Sequence, residues 1–325
     1  MGLGLSDLVT PMKIAFVFPG QGSQSVGMMA GFDAHPAIRA TFDEASQVLG
    51  QDLWALVTSG PEADLDQTVN TQPAMLTAGV AVWRAWQAAG GPAPSIVAGH
   101  SLGEYTALVA AGALAFRDAV PLVRYRALVM QEAVPSGIGA MAAILGLDAA
   151  TVGAICIEAS GDPAAGKVVE PVNFNGPEQI VIAGRKDAVE RAVAMATERG
   201  AKRGLLLPVS APFHSSLMKP AALRLAEKLA SVSIQAPAIP VLHNVDVAER
   251  NTAEGIRAAL ARQAASPVRW VETIQAFAAR GVTHIVECGP GRVLAGLNKR
   301  IARDLKSFAL TDGTDIDAAK AALAN

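Results

Sequence analysis

The most constraining feature of this chain is a buried-strand signature that runs straight into a glycine-flanked serine and then into a helix. Ser95-Ile96-Val97-Ala98-Gly99-His100 is a short apolar run of the kind that fills the interior of a parallel sheet. Gly99-His100-Ser101-Leu102-Gly103 follows at once, and a helical pattern spans 102–113. A strand-to-helix turn this tight forces its central residue into a strained backbone conformation, and small neighbours relieve the crowding. It also lifts the serine oxygen beyond the carboxyl edge of the sheet, where open α/β sheets bind ligands. There the free N–H of Leu102 and the helix dipole can stabilise a tetrahedral oxyanion. The plainer alternative is a serine that only caps the helix. Strand and helix on the correct sides of G-x-S-x-G favour a nucleophile.

The same strand-then-helix rhythm extends in both directions. Lys13–Phe18 reads as a buried strand ended by Pro19-Gly20, and the glycine-rich turn Gly20-Gln21-Gly22-Ser23-Gln24 follows it. That turn is too short for a dinucleotide fingerprint or a P-loop, but it could set an amide or backbone N–H beside the serine. Helical patterns occupy 36–49, 73–89 and 117–133. They return at 217–230, 253–263, 267–280 and 292–303, with strands at 240–244 and 284–286 and a last helix after 314. Between these halves, 140–145, 168–173, 179–183 and 205–209 read as strands, with helices at 149–159 and 186–199. That βαββαβ order is a ferredoxin-like unit. The expectation is therefore an α/β fold, split between 12–136 and 208–325 by a small subdomain at 137–207, with 1–11 as a leader.

Composition narrows the function. The chain of 325 residues is 51% hydrophobic, and 27 basic against 29 acidic residues leave a net charge of -2. This excludes a disordered chain and argues against a nucleic-acid binder, which needs a basic excess. Aromatics are few and small side chains abound, which suits helices packed closely on a sheet. The two cysteines, Cys156 and Cys288, have no metal-ligand or redox-pair spacing and read as reduced core residues of a cytoplasmic protein. No metal and no cofactor is expected. No apolar run approaches the roughly 18 residues needed to span a membrane. Met1-Gly2-Leu3-Gly4-Leu5-Ser6 formally fits an N-myristoylation pattern, but no second membrane signal accompanies it.

A nucleophilic serine needs a base, and the chain offers His35, His100, His214, His243 and His284. His100 adjoins Ser101 and is expected on the opposite face, and His284 sits inside a strand pattern. His214 stands in a loop between strand and helix, where catalytic groups concentrate, and His243 at a strand's end is its rival. His214 would titrate near the ordinary value of about 6.5 unless shifted. Arg126 shares a helical stripe with Leu122, Val123, Ala127 and Met130, whereas Arg124 falls outside it. An inward arginine needs an anionic partner, supplied either by a structural ion pair or by a substrate carboxylate.

Taken in order, these segments resemble the malonyl-CoA:acyl carrier protein transacylase family of fatty acid synthesis and the related polyketide acyltransferase domains. The resemblance covers about 12–310 and rests on several segments. They are Phe16–Gln24, Gly99–Tyr105, Arg126, Val172–Asn175, Pro208–His214, Asn244-Val245-Asp246 and Glu287–Gly291. It implies a hydrolase-like large subdomain with a mostly parallel sheet, a ferredoxin-like small one, and a site between them. It implies Ser101 as the acyl-carrying nucleophile, His214 as its base and Arg126 as the holder of the malonyl carboxylate. Gln21 and the Leu102 N–H would form the oxyanion hole, and the main-chain carbonyl of Gln263 would orient the histidine in a Ser-His dyad. Phe213 resembles the malonyl-selecting version of its motif. Cys288 departs from the small or apolar residue usual there; it reads as a packing residue, with an oxidisable thiol as the alternative.

The implied substrates are malonyl-CoA and acyl carrier protein, handled by a monomer without nucleic acid or membrane. The competing activities are loading of a polyketide carrier and hydrolysis by a serine esterase or thioesterase. Basic candidates for docking an acidic carrier are Arg185-Lys186, Lys202-Arg203 and Lys299-Arg300.

Overall fold

Nine strands make two sheets in the computed structural model, which describes residues 12–209 and 211–324. The expected leader at 1–11 lies outside the described residues. The strands are β1 (Ile14–Phe18), β2 (Ile96–Gly99), β3 (Gly139–Leu145), β4 (Val169–Gly176) and β5 (Gln179–Arg185). They continue with β6 (Arg203–Leu206), β7 (Val241–Leu242), β8 (His284–Cys288) and β9 (Lys306–Leu310). The first sheet runs β7-β2-β1-β8-β9, and all its pairs are parallel.

Burial on both faces explains why β1, β2 and β8 read as continuous apolar runs. Phe16 and Phe18 face one layer, with Trp83 and Trp86 of the helix Thr68–Ala88. Ala15 and Val17 face the other, with Trp270, Phe277 and Leu294. Phe16 meets Trp83 edge-on at 5.4 Å and Trp86 at 5.3 Å, an aromatic cluster on one face of the sheet. Registers pair Phe18 with Gly99 and Val17 with Glu287. The loops after β1, β2 and β8 therefore leave the sheet at one edge, which gathers the Gln21 turn, Ser101 and the segment after Cys288.

The second sheet, β4-β5-β3-β6, is antiparallel throughout. Its βαββαβ order and strand arrangement are ferredoxin-like. Ala142 and Ile144 face the sheet's own helices, Ala149–Ala159 and Lys186–Glu198. Met141, Val181 and Ala183 alternate with them and enter the main core, as a period of two requires. Backbone bonds also tie β4 to the segment before the helix Trp270–Ala279. Val268 N donates to Val172 O at 2.8 Å, and Phe174 N donates to Val268 O at 3.0 Å. The architecture is thus α/β, a parallel sheet interrupted by a small antiparallel one.

Three elements escape the sequence reading: the helices Leu53–Ser59 and Glu62–Leu65, and the strand β9. β9 is an edge strand, exposed at Lys306 and only half-buried at its centre, so it lacks an apolar run. The expected strand at 205–209 is displaced to Arg203–Leu206, and that at 240–244 shrinks to two residues.

Candidate active site

Ser101 leaves β2 with φ 53, the strained turn expected of the pattern. The flanking glycines are required by close approach. A Cβ on Gly99 would lie 1.9 Å from the Gly103 backbone, and one on Gly103 would lie 2.0 Å from the Phe18 carbonyl oxygen. Ser101 does not cap the helix Gly103–Ala110; Leu102 holds the cap position and makes no side-chain bond there. The Ser101 oxygen turns instead to His214 Nε2 at 2.7 Å and accepts from Arg126 Nη2 at 3.1 Å.

His214 itself has φ 66, a second left-handed residue that no motif announced. Its Nδ1 lies 2.9 Å from the Gln263 carbonyl oxygen. A carbonyl only accepts, so Nδ1 carries the proton and Nε2 offers a lone pair to the serine hydroxyl. Burial first, and then the Arg126 charge, lower the His214 pKa to about 3. This corrects the expectation of titration near 6.5: the imidazole stays neutral through the physiological range.

Arg126 is buried on the helix Phe116–Glu132, as its stripe required. The structural ion pair, one of the two expected partners, is not found: among the described residues no carboxylate lies within ion-pair distance of it. Nη1 donates to Gln72 Oε1 at 2.9 Å and Nη2 to Gln263 Oε1 at 3.0 Å. The Tyr105 ring lies 5.5 Å from the guanidinium carbon. Neutral acceptors and a π face hold the charge, and Nε has no partner.

Asn244 braces the elbow from the end of β7. Its Oδ1 accepts from Ser101 N at 2.7 Å, and its Nδ2 donates to Gly99 O at 2.7 Å. Sequence reasoning placed Asn244 in a motif segment without a role and missed Gln72 altogether. The available signal was a glutamine beside Pro73 within an apolar helix, a polar group that burial would force to find a partner.

A cavity of about 100 Å³ opens over Ser101. Gln21, Leu102, Arg126 and Phe213 line it, together with Met141 and Asn173 from the small sheet, so both sheets supply its walls. It has room for a short acyl group. Gln21 reaches the wall, but its side-chain Nε2 donates to Thr68 Oγ1 at 3.2 Å. The Leu102 N–H meets no acceptor among the described residues. Larger clefts lie elsewhere, among them two of about 400 and 430 Å³, and neither of these contains Ser101 or His214. The second brings Lys202 together with Arg300 and Arg303, about a hundred positions away in sequence.

The remaining histidines have other partners. His100 bonds Asn175 Oδ1 at 2.7 Å, and His284 bonds Thr283 Oγ1 at 2.8 Å. His35 precedes the helix Pro36–Leu49 without capping it. His243, the rival base, has Nδ1 on Glu104 Oε1 at 2.7 Å and does not reach Ser101. Cys288 is fully buried and burial holds its thiol well above the ordinary range, which agrees with the reading of a core side chain and leaves little room for an oxidisable thiol.

Comparison with known proteins places this geometry in a family. The acyl transferase domain profile matches residues 15–315. A malonyl CoA-acyl carrier protein transacylase of Escherichia coli O157:H7 is 55% identical over 308 residues, spanning 94% of this chain and 98% of that protein. The crystal structure of an acyl-carrier-protein S-malonyltransferase from Burkholderia pseudomallei 1710b superposes with a TM-score of 0.92 at 60% identity. It covers 95% of this chain and 100% of that one. A malonyl-transacylase solved in complex with its type II polyketide acyl-carrier protein has a TM-score of 0.92 at 52% identity, over 95% of this chain and 99% of that one.

Proposed function

The chain belongs to the acyl transferase domain family, and from that membership we propose that it moves a malonyl group from malonyl-CoA to the phosphopantetheine thiol of acyl carrier protein, supplying fatty acid synthesis. The single observation that carries the reading is Arg126, a buried cation without a carboxylate that donates to the oxygen of the nucleophile. A serine esterase or thioesterase shares the elbow but has no use for that charge.

The reaction runs in two half-steps. Ser101 Oγ attacks the thioester carbon while His214 Nε2 takes its proton. The C–S bond breaks, and the departing CoA thiolate receives that proton. The carrier thiol then gives its proton to His214 and attacks the malonyl ester, and Ser101 recovers the proton as it leaves. Gln263 holds the imidazole in the required tautomer through its carbonyl. The Leu102 N–H and Gln21 receive the oxyanion charge, and Phe213 crowds the space beside the acyl C2. The carboxylate on Arg126 orients the acyl group and offsets the charge that depresses His214, so the base strengthens when malonyl is bound.

This reading assigns the catalytic large subdomain to 12–136 and 208–325 and the small one to 137–207. It makes the protein a cytoplasmic monomer that works without metal or cofactor. Among the described residues no helix is long and apolar enough to cross a membrane. Lys202 and Arg300, on one cleft, are the assigned contacts for an acidic carrier. Intact-protein mass spectrometry after malonyl-CoA tests the core of it. The wild-type chain acquires one malonyl group and Ser101→Ala acquires none; an adduct that persists on the variant refutes the nucleophile.

A further inference from the structure

Glu104 is a fully buried carboxylate in the first turn of the helix that follows Ser101, and the transfer reaction does not use it. Its Oε1 accepts from His243 Nδ1 at 2.7 Å. Its Oε2 accepts from Asn244 N at 2.8 Å and from Gln263 Nε2 at 2.9 Å. An ionised carboxylate only accepts, so it dictates which end of the Gln263 carboxamide faces it. The same Nε2 also donates to Ser101 O at 2.9 Å, which occupies both amide hydrogens. The amide oxygen must then point the other way, and it accepts from Arg126 Nη2 at 3.0 Å.

We propose that Glu104 is a positioning residue for malonyl selection: it fixes the polarity of the Gln263 carboxamide, and that carboxamide holds Arg126 beside Ser101. The proposal rests on Arg126 as the holder of the malonyl carboxylate. Without an acceptor at 104 only the Ser101 carbonyl oxygen holds the NH2 end, and the carboxamide can turn more readily. An NH2 group facing the guanidinium would set donor against donor, and the arginine would swing away. A carboxylate bonded directly to Arg126 would occupy the atoms the substrate needs; one amide between them keeps the arginine placed and open. The hold of Gln263 on His214 runs through its main chain, so the base does not depend on this link.

Glu104→Gln and Glu104→Asp separate reach from charge. Glutamine keeps an oxygen at full reach for Asn244 and Gln263. Its NH2 faces His243, whose unpartnered Nε2 lets the ring take the other tautomer. Aspartate keeps the charge but is one methylene short of Gln263. Acyl-enzyme formation from malonyl-CoA and from acetyl-CoA is measured on the purified full-length variants, with Arg126→Ala alongside. Glu104→Gln is expected to keep the malonyl-over-acetyl ratio within about threefold of wild type. Glu104→Asp is expected to lower it by about tenfold or more, mostly through KM for malonyl-CoA.

The proposal is overturned if Glu104→Gln loses as much as Glu104→Asp or fails to fold, or if the aspartate variant keeps its preference. Equal loss with both substrates also overturns it. An Arg126→Ala enzyme that still prefers malonyl refutes the arginine reading instead, and so separates the two failures.

Discussion

Two buried histidines stand at the carboxyl edge of the parallel sheet and do opposite things. His214 turns Nδ1 to a main-chain carbonyl and Nε2 to the serine hydroxyl. His243 turns Nδ1 to a carboxylate and leaves Nε2 without a partner. Both follow a strand and both are nearly inaccessible to water. The difference lies in what faces the second nitrogen. A neutral imidazole becomes a base only where one nitrogen is held protonated and the other meets a hydrogen to accept. The carbonyl of Gln263 and the left-handed backbone at His214 give that histidine this arrangement, and His243 lacks it.

Substitution breaks the comparison most sharply. His214→Ala is expected to slow malonyl-enzyme formation by about 10²–10⁴-fold, the usual contribution of a positioned base. His243→Asn keeps a donor near the Nδ1 position, and its acylation rate should stay within about threefold of wild type. Rapid-quench measurement of both variants checks the pair, and similar losses would erase the distinction.

The next effect is in pH. The folded pKa of His214, about 3, lies below its ordinary 6.5. The unfolded chain therefore binds the proton first, so stability falls as pH drops from 6.5 toward 3 and is fully present above 6.5. For the same reason, acylation at low malonyl-CoA should be flat between pH 5 and 8. At saturating malonyl-CoA the paired Arg126 charge no longer depresses the imidazole, and the acidic limb should move upward. Acetyl-CoA, which lacks the carboxylate, should show no such shift. Matching profiles for the two substrates would contradict the coupling.

The smallest effect concerns the residue before each histidine. Leu242 is core in β7, whereas Phe213 lines the cavity. Phe213→Ala should improve methylmalonyl-CoA relative to malonyl-CoA by about tenfold, within the ~1–3 kcal/mol that excluding one methyl is worth. Competition between the two substrates reads it directly; an unchanged ratio would detach Phe213 from specificity.

Much of this was legible along the chain because the interactions involved are local or periodic. The run Ile96–Gly99 and the glycines at 99 and 103 specify a turn whose geometry a few neighbouring residues determine. Arg126 was placed inward by helical spacing alone. Beyond the two short helices at 53–59 and 62–65, what escaped was of two kinds. β9 is an edge strand with little apolar surface, so patterning is silent about it. Gln72, Asn244 and Glu104 matter through partners 54, 143 and 159 positions away, at Arg126, Ser101 and Gln263. No local pattern encodes such pairs.

Sequence by itself determined the layered α/β architecture, the strained serine and the inward arginine, because each follows from side-chain size and periodicity over a few residues. Tertiary structure decided which histidine meets the serine hydroxyl, what neutral groups hold the arginine, and which groups the buried carboxylate bonds. Those depend on the direction of single hydrogen bonds between distant segments, which exist only once the parallel sheet has brought its loops to one edge.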